Sequence, residues 1–155
     1  PKQDKLAQLS KLCSEVGVTN IYPVVTDHCD VDTLSDNKFN RVQRSIDSAA
    51  KQSKQINIPT LHPLRPLKDH LEHIDEAALR LVAYEASTQP LNRCTPTPTP
   101  PHIVLAIGPE GGYSQADMQR FKNAGFQDFS LGPFILRTEH AGFAAINYLD
   151  GFLSV

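Results

Sequence analysis

The sequence predicts an α/β domain with a mainly parallel sheet covered by helices on both faces. Three observations lead to this fold class. Short apolar, β-branched runs alternate with longer segments of helical periodicity. Glycine and proline mark most of the junctions between them. Of the 155 residues, 40% are hydrophobic, which is enough for one domain with a sizeable core. Strands that alternate with helices in this way form parallel sheets with both faces buried.

The first part of the chain is predicted to hold two helices and one strand. Apolar residues recur at helical spacing over residues 2–16, and Gly17 supplies a stop signal, which predicts the first helix. The apolar run NIYPVVT at 20–26 predicts a buried strand. After a polar stretch, helical periodicity returns over 38–54 and predicts the second helix.

The remaining part repeats the strand and helix alternation. Apolar runs predict strands, and Ser114 and Asp117 have the spacing of a capping box at a helix start. The predicted elements are a short helix (67–76), a central strand (79–85), a loop (87–101) with an extended TPTPTPP spacer, the strongest strand (102–108), a helix (114–124), a strand (126–131) and a final helix (138–153).

Composition and charge restrict the function classes. A formal net charge of -2 argues against a basic footprint over the whole surface, so any RNA contact must be local. The three cysteines lack CxxC spacing and the histidines lack ligand spacing, so neither a disulfide framework nor a metal site is expected. No run approaches the roughly 18 apolar residues of a membrane helix. We therefore expect a soluble protein of the cytoplasm or an organelle interior, with no membrane partner.

The predicted second helix is the most basic stretch of the chain. It contains a single acid, Asp47, and five cations: Lys38, Arg41, Arg44, Lys51 and Lys54. A charge run considered alone is most often a solvated helix face. The functional alternative is a contact with RNA phosphates, in which each cation releases condensed counterions.

The segment IGPEGGYS at 107–114 lies between the strongest strand and the capped helix. Gly111 and Gly112 permit positive φ and close backbone approach to a ligand, and Pro109 stiffens the entry. A tight turn that needs glycine only for its geometry explains the pattern equally well. The segment does not contain the GxGxxG pattern of a dinucleotide-binding loop. It is not a phosphate-binding loop either, because no GK[ST] follows.

A second segment, LGPFILRTEHAG at 131–142, also follows a strand with Gly-Pro. Two such loops after neighbouring parallel strands would lie beside one another at one sheet edge, where a single pocket can use both. Arg137 and Glu139 either form an ion pair at a helix start or serve the pocket. Glutamate favours the positive end of a helix dipole, whereas arginine there is less easily explained by stability.

Together the two loops resemble a known family. GPEGGYS at 108–114 and LGPFILRTEHA at 131–141 closely match GPEGG(F/L)S and LGPRILRTETA of the ribosomal RNA small subunit methyltransferase E family, the uracil-N3 methyltransferases of the SPOUT superfamily. KLCSEVGV, IYPVVTDHC and AAKQSKQINIP are similar to three further family segments. The resemblance therefore covers nearly the whole chain.

This resemblance implies a fold, a cofactor and partners. Residues 1–155 would form one SPOUT-like methyltransferase domain with a deep trefoil knot at the carboxyl end, a rare exception to unknotted chains. S-adenosylmethionine would be the cofactor, ribosomal RNA the substrate, and a homodimer the assembly. We expect the chain to lack the family's amino-terminal RNA-binding barrel.

The resemblance also implies residue roles. Arg137 would stabilise the deprotonated uracil as a cation near the pyrimidine oxygens, and Glu139 would orient Arg137 or help to move the proton. The residues expected to hold the cofactor are Tyr84, Glu85, Ile107, Gly108, Pro109, Glu110, Gly111, Gly112, Leu131, Gly132, Pro133, Ile135, Leu136 and Thr138.

The sequence departs from the family at several positions. His28, Gln55 and Phe134 stand where the family has arginine, and His140 stands where it has threonine. His140 is either an alternative base or a surface residue, and Tyr113 and Phe134 either stack on a base or pack in the core. Two alternatives therefore stay open: a knotted RNA-binding or assembly protein without catalysis, and a SPOUT methyltransferase that acts on another RNA base.

Overall fold

The computed structural model describes residues 3–96, 100, 102–133 and 136–153. The final helix has the predicted bounds, and the ends of the other helices differ from the prediction by up to five residues. In chain order the elements are α1 (Gln3–Glu15), β1 (Asn20–Ile21), β2 (Val24–Val25), α2 (Asp36–Gln52), β3 (Thr60–Leu61), β4 (Arg65–Pro66), α3 (Leu67–Leu71), β5 (Leu79–Ala83), a 3-10 turn (Leu91–Arg93), β6 (Ile103–Ala106), α4 (Gln115–Asn123), β7 (Gln127–Phe129) and α5 (Thr138–Leu153).

The main sheet has the strand order β6-β5-β7, and both pairings are parallel. Leu81 lies opposite Leu105 on β6 and Gln127 on β7. The prediction that 79–85 holds the central strand is therefore confirmed. Because all three strands run in the same direction, their carboxyl ends meet at one edge of the sheet.

Both faces of this sheet are buried, as predicted. Leu81 and Val82 are consecutive on β5 and therefore point to opposite faces. On one face, Leu81 belongs to a core with Phe129 and with Ala145 of α5. On the other face, Val82 packs in a core whose buried members also include Leu67 of α3, Phe121 of α4, Tyr113 and Phe126.

The predicted strand over 20–26 is interrupted, and its partner was missed. Tyr22 and Pro23 separate β1 from β2, and these strands pair with β3 and β4, which lie in a proline-rich stretch where no strand was predicted. Asn20 pairs with Thr60, but Val24 pairs with Arg65. The segment from β3 to β4 therefore holds one residue more than the segment from β1 to β2. Proline explains the break, because it has no N–H to donate to a ladder.

Some predicted helix ends were also wrong. Helix α3 stops at Leu71, and α2 stops at Gln52, so that Lys54 lies beyond it with φ 55°. The capping box of Ser114 and Asp117 is confirmed in both directions. Part of the proposed TPTPTPP spacer, at 97–99 and 101, lies outside the described residues. The trefoil knot stays a prediction of the resemblance.

Candidate functional site

A cavity of about 390 Å³ lies at the carboxyl edge of the main sheet. Its wall is built by the segments that follow β5, β6 and β7, together with the start of α5. The sequence prediction that the two Gly-Pro loops share one pocket is therefore confirmed. The premise that they follow neighbouring strands is wrong, because β5 lies between β6 and β7. Thirteen predicted site residues lie in this wall: Tyr84, Glu85, Ile107, Gly108, Pro109, Glu110, Gly112, Leu131, Gly132, Pro133, Leu136, Arg137 and Thr138.

One hydrogen bond joins the two loops, and a second one shapes the first loop. Thr138, which is buried, donates its hydroxyl to the Gly108 carbonyl at 3.0 Å. The Gly112 N–H donates to the Pro109 carbonyl at 3.0 Å and closes a turn in which Gly112 has φ +68°. A Cβ at Gly108 would meet the Tyr113 ring at 3.1 Å. Glycine therefore lets bare backbone form this part of the wall.

Lys5 is a wall residue that sequence reasoning missed. Its ammonium lies 2.9 Å from Glu110 Oε1, so the first helix contributes a charge to a cavity built mainly by the last third of the chain. Partial burial acts to raise the pKa of the Glu110 carboxyl, but the hydrogen bond from Lys5, a backbone hydrogen bond and the nearby positive charges together lower the pKa. In the sequence, Lys5 looks like any exposed cation of an amphipathic helix.

Two predicted site residues lie elsewhere. Gly111 does not line the cavity; its carbonyl accepts a hydrogen bond from His28 Nδ1 at 3.0 Å, and both residues line a neighbouring hollow of about 380 Å³. Glu139 is 4% exposed and does not line the cavity, and its Oε2 lacks a hydrogen-bond partner among the described residues. A third, Ile135, lies outside the described residues, as does Phe134.

The two catalytic candidates are therefore not brought together. Arg137 precedes α5 and is exposed at the cavity, whereas Glu139 is the second residue of the helix and turns into the protein. No hydrogen bond or ion pair joins them in the described part of the chain. Whether Glu139 orients Arg137 or helps to move the proton stays a prediction. In this structure its buried carboxylate lies in the first turn of α5, where it suits the helix dipole.

A buried carboxylate anchors the start of α4 to the turn after β2. Asp117 is fully buried, and its Oδ2 accepts hydrogen bonds from the N–H groups of Asp27 and Ser114 at 3.1 and 3.3 Å. Asp27 Oδ2 in turn accepts from the Ser114 hydroxyl at 2.6 Å. That bond, followed by the one from Arg120, lowers the pKa of the Asp27 carboxyl. The turn that carries His28 is thereby fixed beside the glycine loop.

The basic residues of α2 lie on the protein surface. The helix buries Val42, Ile46, Ala49 and Ala50, mainly against α1. The five predicted RNA-contact residues, Lys38, Arg41, Arg44, Lys51 and Lys54, are all exposed and none lines the cavity. Their role in binding RNA stays a prediction.

The described residues contain neither a cluster of metal ligands nor a helix able to cross a membrane. No group of three His, Cys, Asp or Glu side chains among them is placed to hold a metal ion. Within the same ranges no helix is both long enough and apolar enough to span a bilayer. The three cysteines are free.

Comparison with protein families gives a match over most of the chain. A model described as RNA methyltransferase domain matches residues 1–150. Curated relatives include the ribosomal RNA small subunit methyltransferase E of Rickettsia conorii, 26% identical over 148 residues that cover 94% of this chain and 59% of that protein. The protein of the same name from Synechocystis is 30% identical over 159 residues, covering 99% and 51%. The chain thus spans between half and three fifths of these relatives.

Two solved structures that are similar to this chain contain a bound ligand. The ribosomal RNA small subunit methyltransferase E from Neisseria gonorrhoeae, bound to S-adenosyl methionine, has a TM-score of 0.88 and 30% identity, covering 96% of this chain and 61% of that one. A methyltransferase from Legionella pneumophila in complex with the same cofactor has a TM-score of 0.84 and 29% identity, with the same coverage.

Tyr113 allows a test of how the cavity wall is packed. Its ring is buried edge-on against Phe121, with centroids 5.0 Å apart, so packing rather than base stacking accounts for it. Its hydroxyl is buried without a hydrogen-bond partner, and burial raises its pKa. An unsatisfied buried hydroxyl costs about 1–3 kcal/mol. We predict that Tyr113→Phe raises the free energy of unfolding by about 1 kcal/mol in chemical denaturation.

The matched control is Tyr22→Phe. Tyr22 is half exposed, so its hydroxyl is available to water, and the change should stay within about 0.5 kcal/mol. Loss of stability in Tyr113→Phe would mean that the hydroxyl has a hydrogen-bond partner.

Proposed function

Since the chain belongs to the RNA methyltransferase domain family, we propose that it binds S-adenosylmethionine in the cavity and methylates N3 of a uridine in small-subunit ribosomal RNA. The observation that carries this proposal is the meeting of both Gly-Pro loops in one wall. The names and bound cofactor of the similar proteins support it. Because the chain spans only part of those proteins, the activity is proposed for the whole enzyme.

The cavity fits the cofactor in size and in the chemistry of its wall. About 390 Å³ lies within the range of small-molecule sites. Gly108 and Gly112 leave backbone in direct reach of a ligand, and Leu131 and Leu136 provide apolar surface for a purine ring. Glu85, exposed at the same wall, offers a carboxylate to ribose hydroxyls.

The proposed chemistry assigns one main task to the protein. S-adenosylmethionine supplies an electrophilic methyl group on a sulfonium, so the protein must hold the acceptor nitrogen opposite the departing sulfur. Uracil N3 carries a proton and is a poor nucleophile. The N3 proton would pass to a base, for which Glu139 and His140 are the candidates predicted from the sequence. The Arg137 guanidinium, exposed at the cavity, would stabilise the negative charge that then spreads over the pyrimidine oxygens.

Calorimetry tests the cofactor site. S-adenosylmethionine and S-adenosylhomocysteine should both bind the chain, and Gly112→Ala should weaken binding about tenfold, because alanine at positive φ costs about 1–2 kcal/mol and reshapes the loop. Gly125→Ala is the matched control: Gly125 also has a positive φ, of +76°, but lies outside the cavity wall. The Gly125→Ala variant should bind both ligands with the affinity of the wild type.

Absence of heat at high cofactor concentration would refute the enzyme proposal. The alternative of a knotted RNA-binding protein without catalysis would then account for the chain.

RNA binding and methyl transfer should depend on different residues. Arg41→Glu with Arg44→Glu should weaken RNA binding and reduce its salt dependence, because fewer counterions are released, while cofactor affinity stays unchanged. Arg137→Ala should show the opposite profile, with RNA still bound and methyl transfer lowered about a hundredfold or more. Filter binding and radiolabelled methyl transfer measure the two properties.

The prediction for RNA binding and the prediction for methyl transfer can be refuted independently. Undiminished RNA affinity in the double reversal would reduce the basic helix to a solvated face. Full transfer activity in Arg137→Ala would remove this residue from the mechanism.

We further propose that the protein is a homodimer. Phe143 is a large apolar side chain left exposed on α5, which suits a surface covered by a second copy. Light scattering should give twice the chain mass of 17.1 kDa, and Phe143→Glu should shift the equilibrium to monomer. A wild-type monomer that methylates RNA would contradict this proposal.

A further inference from the structure

Every residue from Gly108 to Gly112 of the first Gly-Pro loop takes part in an anchoring contact. Thr138 binds the Gly108 carbonyl, and the Pro109 carbonyl accepts from Gly112 within the loop. Two anchors come from the first 28 residues: Lys5 of α1 holds Glu110, and His28 holds the Gly111 carbonyl.

Lys5 occupies a particular position among these anchors. Lys5, Pro109 and Glu110 line both the cavity and the neighbouring hollow, so the Lys5–Glu110 pair lies between the two spaces. The other contacts are made by loop backbone atoms. The Lys5 bond is the one described contact that acts through a side chain of the loop, at the middle of its five residues.

The position of Lys5 is fixed by helix packing. Leu9, one turn further along α1, lies against Gly142 of α5, where a Cβ would come within 2.7 Å of Leu9 Cδ1. The absence of a side chain at Gly142 therefore brings α1 close to the wall. Ile107, immediately before the loop, lies 3.6 Å from the same Cβ position.

We propose that Lys5 is a positioning residue for cofactor binding, which acts through Glu110 by holding the first Gly-Pro loop in its binding shape. The inference rests on the proposed cofactor site and adds a residue that neither loop motif contains. Lys5 does not need to contact the cofactor for this role. Its effect should therefore be the same for any ligand that uses the loop.

A double-mutant cycle with two ligands tests this inference. S-adenosylhomocysteine carries an amino-acid end, whereas 5′-methylthioadenosine has the same adenine and ribose without it. Lys5→Met and Glu110→Gln should each weaken both ligands by about threefold to fivefold, the size expected for a partly exposed ion pair. The double variant should be no weaker than either single one, because one interaction is lost in all three.

Charge reversal separates positioning from simple loss of packing. Lys5→Glu with Glu110→Lys re-forms the pair and should recover most of the wild-type affinity. Lys11→Met is the matched control, since Lys11 is exposed on the same helix and lies outside the cavity wall. It should leave both affinities unchanged. The melting temperatures of the single variants should stay close to wild type, because such pairs contribute little to global stability.

The outcomes distinguish this inference from the proposed function. If the wild type binds neither ligand, the cofactor site itself is refuted. If the wild type binds but Lys5→Met binds equally well, only the positioning role is refuted. If Lys5→Met weakens S-adenosylhomocysteine alone and Glu110→Gln weakens neither, Lys5 contacts the amino-acid end directly and the inference is overturned.

Discussion

Parallel pairing of β5 with both β6 and β7 brings three strand ends to one edge of the sheet, and the candidate site depends on this arrangement. A short segment of the cavity wall follows each strand: Tyr84 and Glu85 after β5, the first Gly-Pro loop after β6 and the second Gly-Pro loop after β7. An antiparallel partner would have sent one of these segments to the opposite edge. The apolar cores on the two sheet faces stabilise the pairing, and the loops remain available for binding.

The helices then fix the shape of the loops that follow these strands. The first turn of α5 holds the Gly108 carbonyl through Thr138, and close packing at Gly142 brings α1 to the cavity. The buried Asp117 carboxylate ties the start of α4 to the turn after β2. Residues distant in sequence therefore support the loops whose motifs identify the family.

Patterns local in sequence were sufficient for much of the fold and site. Hydrophobic periodicity located the strands of the main sheet, and the two Gly-Pro motifs identified much of the cavity wall. Tyr84 and Glu85 were expected in that wall only from the resemblance to the methyltransferase family. The pairing of 20–25 with 60–66 was missed because prolines obscure the strand pattern and the partners lie far apart. Lys5 was missed for a related reason: its role depends on helix packing, which leaves no local mark. The burial of Glu139 was not foreseen, because spacing does not reveal which way the first turn of a helix faces.

A crystal structure of the chain grown with S-adenosylhomocysteine tests the central claim most directly. We predict density for the adenosyl group between residues 107–112 on one side and residues 131–133 and 136–138 on the other, against the backbone of Gly108 and beside Glu85. The Lys5–Glu110 contact should be preserved. An empty cavity with the ligand ordered elsewhere on the protein would contradict the account, since the convergence of the two loops would then have another purpose.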